Sequence, residues 1–260
     1  MSERPPVVLR WGGGVNSTAM AVGLYERGER PDFVVFSDTG GEKPETYTYM
    51  VPFSAWLSRV GFPDLCVLRY ITEAGDDNLE QWCLRTGQLP SRAFGQSSCA
   101  DKWKIRPMEK WATHEPRLRA ARAAGQKPVA LLGYDAGEVR RNRMSENDRW
   151  SFRAPLIDWG WYRDDCVRAI TAGGLPLPCK SACFFCPSST KPEILALAEA
   201  HPELMMRALA IEDGAAAGLR TAKGLGRRFA WRDLFEDPAG HWPESPVEQC
   251  LVCADEGEAP

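Results

Sequence analysis

Histidine is scarce here, with three in 260 residues. His114 falls on a polar helical pattern, and His201 and His241 flank a proline or a tryptophan, so no histidine-based acid–base chemistry is expected. Long apolar runs are missing too. None approaches the roughly 20 residues that a membrane span needs. The opening MSERPPVVLR has no apolar stretch of the signal-peptide kind. A cytoplasmic protein with no membrane partner is therefore expected. Excess positive charge is also absent: 32 Lys and Arg stand against 35 Asp and Glu, a net charge of -3. That removes any global nucleic-acid signature. It leaves two local basic stretches, RLRAARAAGQK (117–127) and LRTAKGLGRR (219–228). There is no internal repeat, and no low-complexity segment beyond the acidic ADEGEAP end.

Hydrophobic residues make up 44% and charged residues 26%, an ordinary globular balance. The length suits one large domain, or one domain with an appendage. Ten tryptophans are read as core or groove lining. Nine cysteines are many for a reducing compartment, where clustered thiols point to metal or redox chemistry more than to disulfides. Cys66, Cys83, Cys99 and Cys166 are scattered. Cys179, Cys183, Cys186, Cys250 and Cys253 are clustered, as CKSACFFC and CLVC.

The first part alternates strands and helices. PVVLRW (6–11), DFVVFSD (32–38) and LCVLRY (65–70) read as strands. Helices are expected from Asn16 to Arg27, with Asn16 or Ser17 near the N-cap, and from Pro44 to Val60. KPVALLGYD (127–135) reads as a fourth strand. The pattern predicts an α/β fold with a doubly wound parallel sheet over 1–175, and a Cys-rich helical extension over 176–260. Further helices are expected from Pro107 to Gly125, from Arg163 to Ala172, and from Glu193 to Ala217.

Three glycines follow the first strand, in WGGGVNST. Bare backbone at a strand-to-helix turn lets N–H groups approach an anion, and the helix start adds partial positive charge. Gly12, Gly13, Gly14, Asn16, Ser17 and Thr18 thus form a candidate phosphate cradle. It is not a P-loop, because no Lys precedes the Ser/Thr, and it is not GxGxxG. As a bland alternative the segment is a tight turn. FSDTGGEKPET (36–46) ends the second strand. Asp38 is a candidate for Mg2+ or a ribose hydroxyl and Thr39 for the ligand, or the segment is a polar turn capping a helix. An extended KWKIRP would align Lys102, Lys104 and Arg106 on one face for phosphate neutralisation. Read blandly, they are a solvated basic face. Gly133, Arg140 and Arg141 follow the fourth strand, and the two arginines are further phosphate candidates. Cys179-x3-Cys183-x2-Cys186 selects zinc or iron–sulfur by its thiols. A zinc site would pair Cys183 and Cys186 with Cys250 and Cys253. CxxxCxxC also matches the radical S-adenosylmethionine signature, but that reading leaves the glycine turn unexplained.

These segments carry a resemblance. GGGVNST resembles the SGGxDS loop of the PP-loop ATP pyrophosphatases, the adenine nucleotide α-hydrolases. SDTGGEKPETY (37–47), CADKWKIRPM (99–108), LLGYDAGEVRR (131–141), APLIDWGWYRDD (154–165) and SACFFCPSS (181–189) resemble, in order, segments of the phosphoadenosine-phosphosulfate reductase family. The likeness spans roughly residues 7–190. It implies a Rossmann-like adenine nucleotide α-hydrolase fold and a site for ATP or a related adenine nucleotide with Mg2+. Asp38, Lys104 and Arg106 would be the catalytic residues. It also implies a [4Fe–4S] cluster on Cys183, Cys186 and Cys99, with Cys179 as fourth ligand. The implied activity is ATP-dependent sulfur transfer to a nucleotide or nucleic acid acceptor, served by a sulfur or electron donor. The chain departs from the family at Gly12, where the loop has Ser, and at Asn16, where it has Asp. It also lacks the reductases' ECGxH tail. The alternatives are a sulfonucleotide reductase and a nucleotide-binding module with a structural zinc.

Overall fold

The computed structural model describes residues 4–90, 92, 93, 96–141 and 147–235. In chain order the elements are β1 (Val7–Arg10), α1 (Val15–Glu26), β2 (Phe33–Asp38), α2 (Pro44–Arg59), β3 (Leu65–Arg69) and α3 (Leu79–Thr86). A hairpin follows, β4 (Arg92–Ala93) and β5 (Gln96–Ser97), then α4 (Ser98–Ala100) and a π-helical turn at Asp101–Ile105. Next come α5 (Arg106–His114), α6 (Pro116–Ala123), β6 (Val129–Leu131), a 3-10 turn (Ala136–Arg141) and β7 (Ser151–Arg153). Then come α7 (Pro155–Asp158), α8 (Arg163–Ala172), α9 (Lys191–Ala200) and α10 (Pro202–Ala215), and the described chain closes with 3-10 turns at Ala216–Gly218 and Arg232–Leu234. Among the described residues no helix is long and apolar enough to cross a membrane.

Five strands form an all-parallel sheet in the order β3-β2-β1-β6-β7. Side chains alternate across it. Leu9, Val34, Phe36 and Leu131 pack to one face with Ala19, Met20 and Leu24 of α1, Phe53 and Trp56 of α2, and Ile170 of α8. Val8, Val35 and Ala130 pack to the other face with Met108 and Ala112 of α5, Leu118 of α6 and Trp150. The two-residue period thus buries both faces, which is the doubly wound α/β arrangement expected. Behind the glycine turn, Trp11 stacks on Phe53 with centroids 4.3 Å apart. Gly23 admits Trp159 against α1, since a Cβ there would lie 2.4 Å from its ring.

Compactness divides the chain into two units. The first holds the chain up to Ser37, Pro44–Leu68 and Pro107–Ser181, and the second holds Asp38–Lys43, Arg69–Arg106 and the chain from Ala182 onward. The second unit has its own core: Leu79, Trp103, Phe184, Phe185, Ile194 and Ile211 are buried together, with Cys83 among them.

Prolines and caps explain where the elements differ from the sequence reading. The helix expected over 193–217 is two helices, because Pro202 forces His201 out of the helical region, to φ -141° and ψ 67°. Pro116 likewise parts α5 from α6 at Glu115, whose φ, ψ are -64°, 118°. Helix α3 has caps at both ends. Asn78 caps its start by accepting from the Gln81 N–H, and Gly87 ends it with φ +60°. Strand β7 was not read from the sequence. It is only three residues long.

Candidate functional site

In this sheet order the crossovers leave β1 in opposite directions, so the switch point lies between β1 and β6. The loops at the switch point are the glycine turn and the segment after β6, both within the first unit.

Helix α1 starts at Val15, with Gly14 as N-cap, one residue earlier than expected. No side chain caps it, and its first turn holds no acidic residue. The first N–H groups of a helix have no intrahelical partner, and the cap residue Gly14 has no side chain to supply one. Gly13 has φ +80°, a conformation that turns the chain into the helix. A Cβ on Gly13 would lie 2.8 Å from Thr46 Cγ2 and 3.3 Å from Ser181 Oγ. Ser17 Oγ accepts from the Gly12 N–H at 3.0 Å and donates to the Gly14 carbonyl at 3.1 Å, so it braces the turn from inside. Ser181 Oγ donates to the Gly12 carbonyl at 2.5 Å. Thr18 is fully buried, and its hydroxyl accepts from the Trp11 indole at 3.0 Å. That hydroxyl fixes the packing behind the turn.

The β6 loop closes on the same helix start. A Cβ at Gly133 would sit 2.9 Å from the Ser17 backbone nitrogen and Cα. Asn16 Nδ2 donates to Asp135 Oδ2 and to Glu138 Oε2, each at 3.0 Å, and Asn16 Oδ1 accepts from Arg163 Nη1 at 3.4 Å. Asp135 is buried and also accepts from the Gly137 N–H at 2.9 Å. This explains Asn16. An amide supplies the donors that two converging carboxylates need, and a third carboxylate would repel both. Asn16→Asp is expected to lower stability by about 2 kcal/mol at pH 7, through lost hydrogen bonds and like-charge contact. Denaturant titration checks this, and the deficit should shrink at pH 5 as the new carboxyl takes a proton. Arg140 is exposed on the 3-10 turn. The Arg141 side chain and Arg143 lie outside the described residues.

The second unit holds Asp38, Thr39, Lys102, Lys104, Arg106, Cys99, Cys183 and Cys186. Asp38 is 2% exposed, and both its oxygens are engaged. Oδ1 accepts from the Gly40 N–H at 2.7 Å, and Oδ2 accepts from Arg69 Nε at 2.9 Å and Nη2 at 2.8 Å. A carboxylate already neutralised by a guanidinium has little to offer Mg2+. Here it orders the Gly40 turn and Arg69. Thr39 Oγ1 lies 3.0 Å from Cys183 Sγ. The Gly41 carbonyl accepts from the Phe184 N–H at 2.8 Å, and a Cβ on Gly41 would lie 2.7 Å from the Phe185 ring. The TGGE loop is therefore the backbone partner of the cysteine turn. Glu42, whose side chain is fully buried, accepts from Lys104 Nζ at 3.0 Å.

Lys102, Lys104 and Arg106 do not share an extended face. The segment is helical, π-type then α. Lys102 lies 4.2 Å from the Trp82 ring, Lys104 takes Glu42, and exposed Arg106 pairs with Asp101 at 3.3 Å. Burial would lower the Lys104 ammonium, but Glu42, Cys183 and Cys186 outweigh it, and the net shift is upward. Burial, then Glu42, raises the Cys183 thiol against the opposing pull of Lys104 and Thr39.

Cys183 and Cys186 stand on one tight turn, closed by the Cys186 N–H to the Cys183 carbonyl at 3.0 Å. Cys99 and Cys183 pack against the second unit's core, where Cys83 is buried. Burial pushes the Cys83 thiol up to about 12, with Cys99 as the next cause. Cys179 is exposed and belongs to the first unit. Cys250 and Cys253, the alternative zinc partners, lie outside the described residues. Among the described residues no group of three or more His, Cys, Asp or Glu side chains is arranged to hold a metal ion. The sequence reading missed Glu42, Arg69, Asp135 and Arg163 as partners. Asp135 was visible as the acidic residue of GYDAGE, but nothing local marked the others.

The fold and the turn define a class: a doubly wound α/β protein with an uncapped helix start behind glycines at the sheet's switch point. No protein-family model matches the chain, and no curated protein matches it. Among solved structures it resembles the U34-tRNA thiolase NcsA from Methanococcus maripaludis with its [4Fe–4S] cluster. The two are 13% identical, and the match covers 85% of this chain and 74% of that one at a TM-score of 0.41. A likeness at that level carries no functional statement.

Proposed function

We propose that this chain is an ATP pyrophosphatase-type enzyme that activates a nucleotide or nucleic acid acceptor for sulfur transfer. The observation that carries the reading is the uncapped start of α1 behind left-handed Gly13 at the switch point. The ordered motif resemblance over roughly residues 7–190 supports the adenine nucleotide as the anion's source.

The chemistry follows from that placement. The nucleotide enters with Mg2+ on its own phosphates. An acceptor oxygen forms a bond to the α-phosphorus, the bond from that phosphorus to the α–β bridging oxygen breaks, and pyrophosphate leaves. Charge grows on the departing pyrophosphate. The backbone N–H groups of Gly13 and Gly14 and the positive end of α1 are fixed to meet it. Ser17 holds the turn in shape, and Asn16 holds the β6 loop against it. A sulfide-level sulfur nucleophile from the donor then bonds to the carbon that carries the adenylated oxygen, the bond from that carbon to the oxygen breaks, and AMP leaves. The protein's part is positioning and charge stabilisation.

Cys99, Cys183 and Cys186, all of the second unit, are proposed ligands of a [4Fe–4S] cluster. The thiol donor set suits iron–sulfur or zinc. The described side chains do not gather three ligands around one point, so no step is assigned to the cluster. Protein purified without oxygen is expected to contain iron and sulfide at about four each, as thiolate-bound cubane clusters do. One zinc and no iron would overturn the cluster. For the nucleotide, hydrogen exchange at residues 12–18 should slow when a non-hydrolysable ATP analogue is added. Unchanged exchange there at saturating analogue would overturn the site.

A further inference from the structure

The second unit carries a feature that the nucleotide reading does not use. A cavity of about 810 Å³ is lined by Arg220, Arg227 and Arg228, by glycine-rich backbone of the same loop, by residues 87–90 after α3, and by Pro187. Pro187 directly follows Cys186. We propose that this cleft binds the phosphodiester backbone of a single-stranded nucleic acid segment, and so seats the acceptor beside the cysteine turn. The role of acceptor rests on the proposed function; the binding itself does not.

Three observations point to it. First, the cations are concentrated and uncompensated. Arg220, Lys223, Arg227 and Arg228 are all exposed within nine residues, in a chain of net charge -3. Among the described residues none of the four has an acidic partner. The nearby acids are engaged elsewhere: Glu212 with backbone N–H groups, Asp213 with Arg232, and Glu80 with Arg207.

Second, the loop is built to hold a shape. The buried Glu212 carboxylate accepts from the backbone N–H groups of Leu225 at 2.6 Å, Trp231 at 2.8 Å and Arg232 at 3.0 Å. The Arg227 N–H donates to the Gly224 carbonyl at 3.0 Å, and the Lys223 N–H donates to the Arg227 carbonyl at 2.9 Å. Arg227 itself has φ +63°, the one left-handed non-glycine among the described residues. Strain of that kind is retained where surrounding structure fixes it, often at ligand sites.

Third, the chemistry fits phosphate. Guanidinium groups present paired N–H donors that match phosphate oxygens. The volume is near the top of the range of small-molecule pockets, about 300–1,000 Å³, which leaves room for more than one nucleotide of a strand.

The test uses the full-length protein without ATP and reads anisotropy of a fluorescein-labelled single-stranded RNA of about 20 nucleotides across 50–200 mM salt. Each phosphate contact on a single strand contributes about 0.7 to the slope of log K against log salt. The R220Q/R227Q/R228Q variant should therefore lose about 2 from that slope and bind at least tenfold more weakly at 100 mM salt. R220Q/R228Q, which leaves the left-handed residue untouched, should lose about 1.4. It keeps the test decisive if the triple variant folds poorly. Protection at residues 12–18 by the ATP analogue should be unchanged in both. Unchanged slopes would overturn the proposal. So would equal displacement of the RNA by polyglutamate or by free AMP at matched charge, because the cleft would then select an acidic peptide or a mononucleotide rather than a strand.

Discussion

Gly13→Val should abolish nucleotide binding, raising the ATP dissociation constant at least tenfold and beyond, which is about 1.4 kcal/mol or more. Two effects act together. A residue with Cβ held at φ +80° costs about 1–2 kcal/mol of backbone strain. The Cβ also meets Thr46 Cγ2 at 2.8 Å and Ser181 Oγ at 3.3 Å, so the turn must shift before the larger side chain fits. A shifted turn no longer holds the Gly13 and Gly14 backbone in its present shape. The control is Gly28→Ala. Gly28 has φ +70° but nothing within 4 Å of its would-be Cβ. It should show the same kind of stability loss with ATP affinity intact. Calorimetric titration of both variants separates strain from ligand contact. Equal affinity in Gly13→Val and the parent chain would remove the glycine turn from the site.

Lys104→Met is the second large effect, and it acts on stability. Removing Lys104 leaves the Glu42 carboxylate fully buried without its cation. Breaking a buried pair costs about 3–5 kcal/mol, and the 40% exposure of the Lys104 side chain reduces that to about 2–3 kcal/mol. Lys104→Met combined with Glu42→Gln should recover part of the loss, since no uncompensated charge remains. The pH dependence has a definite sign. The Lys104 pKa is raised in the fold from its ordinary 10.5. Its contribution is therefore fully present below 10.5 and is lost as pH rises through the higher folded value. The parent chain's advantage over Lys104→Met should hold at pH 7 to 9 and shrink under strongly alkaline conditions. An advantage that grows with alkalinity would contradict the pairing.

Much of the first unit was legible in the sequence. β1, β2 and β3 carry short apolar runs between glycine and proline punctuation, and the strand–helix alternation fixes a parallel sheet. Helix α8 was placed correctly because its apolar spacing is regular. The glycine turn was legible for the same reason that it works: only glycine fits a left-handed residue between strand and helix. What the sequence hid was tertiary. The strand order, and with it the position of the switch point, depends on which edge β6 joins, and no local pattern encodes that. Lys102, Lys104 and Arg106 alternate like a strand, but the two lysines lie on a π-helical turn and Arg106 opens α5. Asp38 looks like a free carboxylate until Arg69, 31 residues on, reaches it. Asn16 looks like a lost carboxylate until Asp135 and Glu138 close over it. In each case the deciding partner is distant in sequence.

The proposed function stands on α–β cleavage of ATP at the glycine turn. The most direct measurement is product analysis of ATP incubated with Mg2+, the anaerobically purified chain and a mixed RNA acceptor pool. The expected products are AMP and pyrophosphate in equal amounts, lost in Gly13→Val. ADP and inorganic phosphate, or intact ATP at high enzyme concentration, would contradict it.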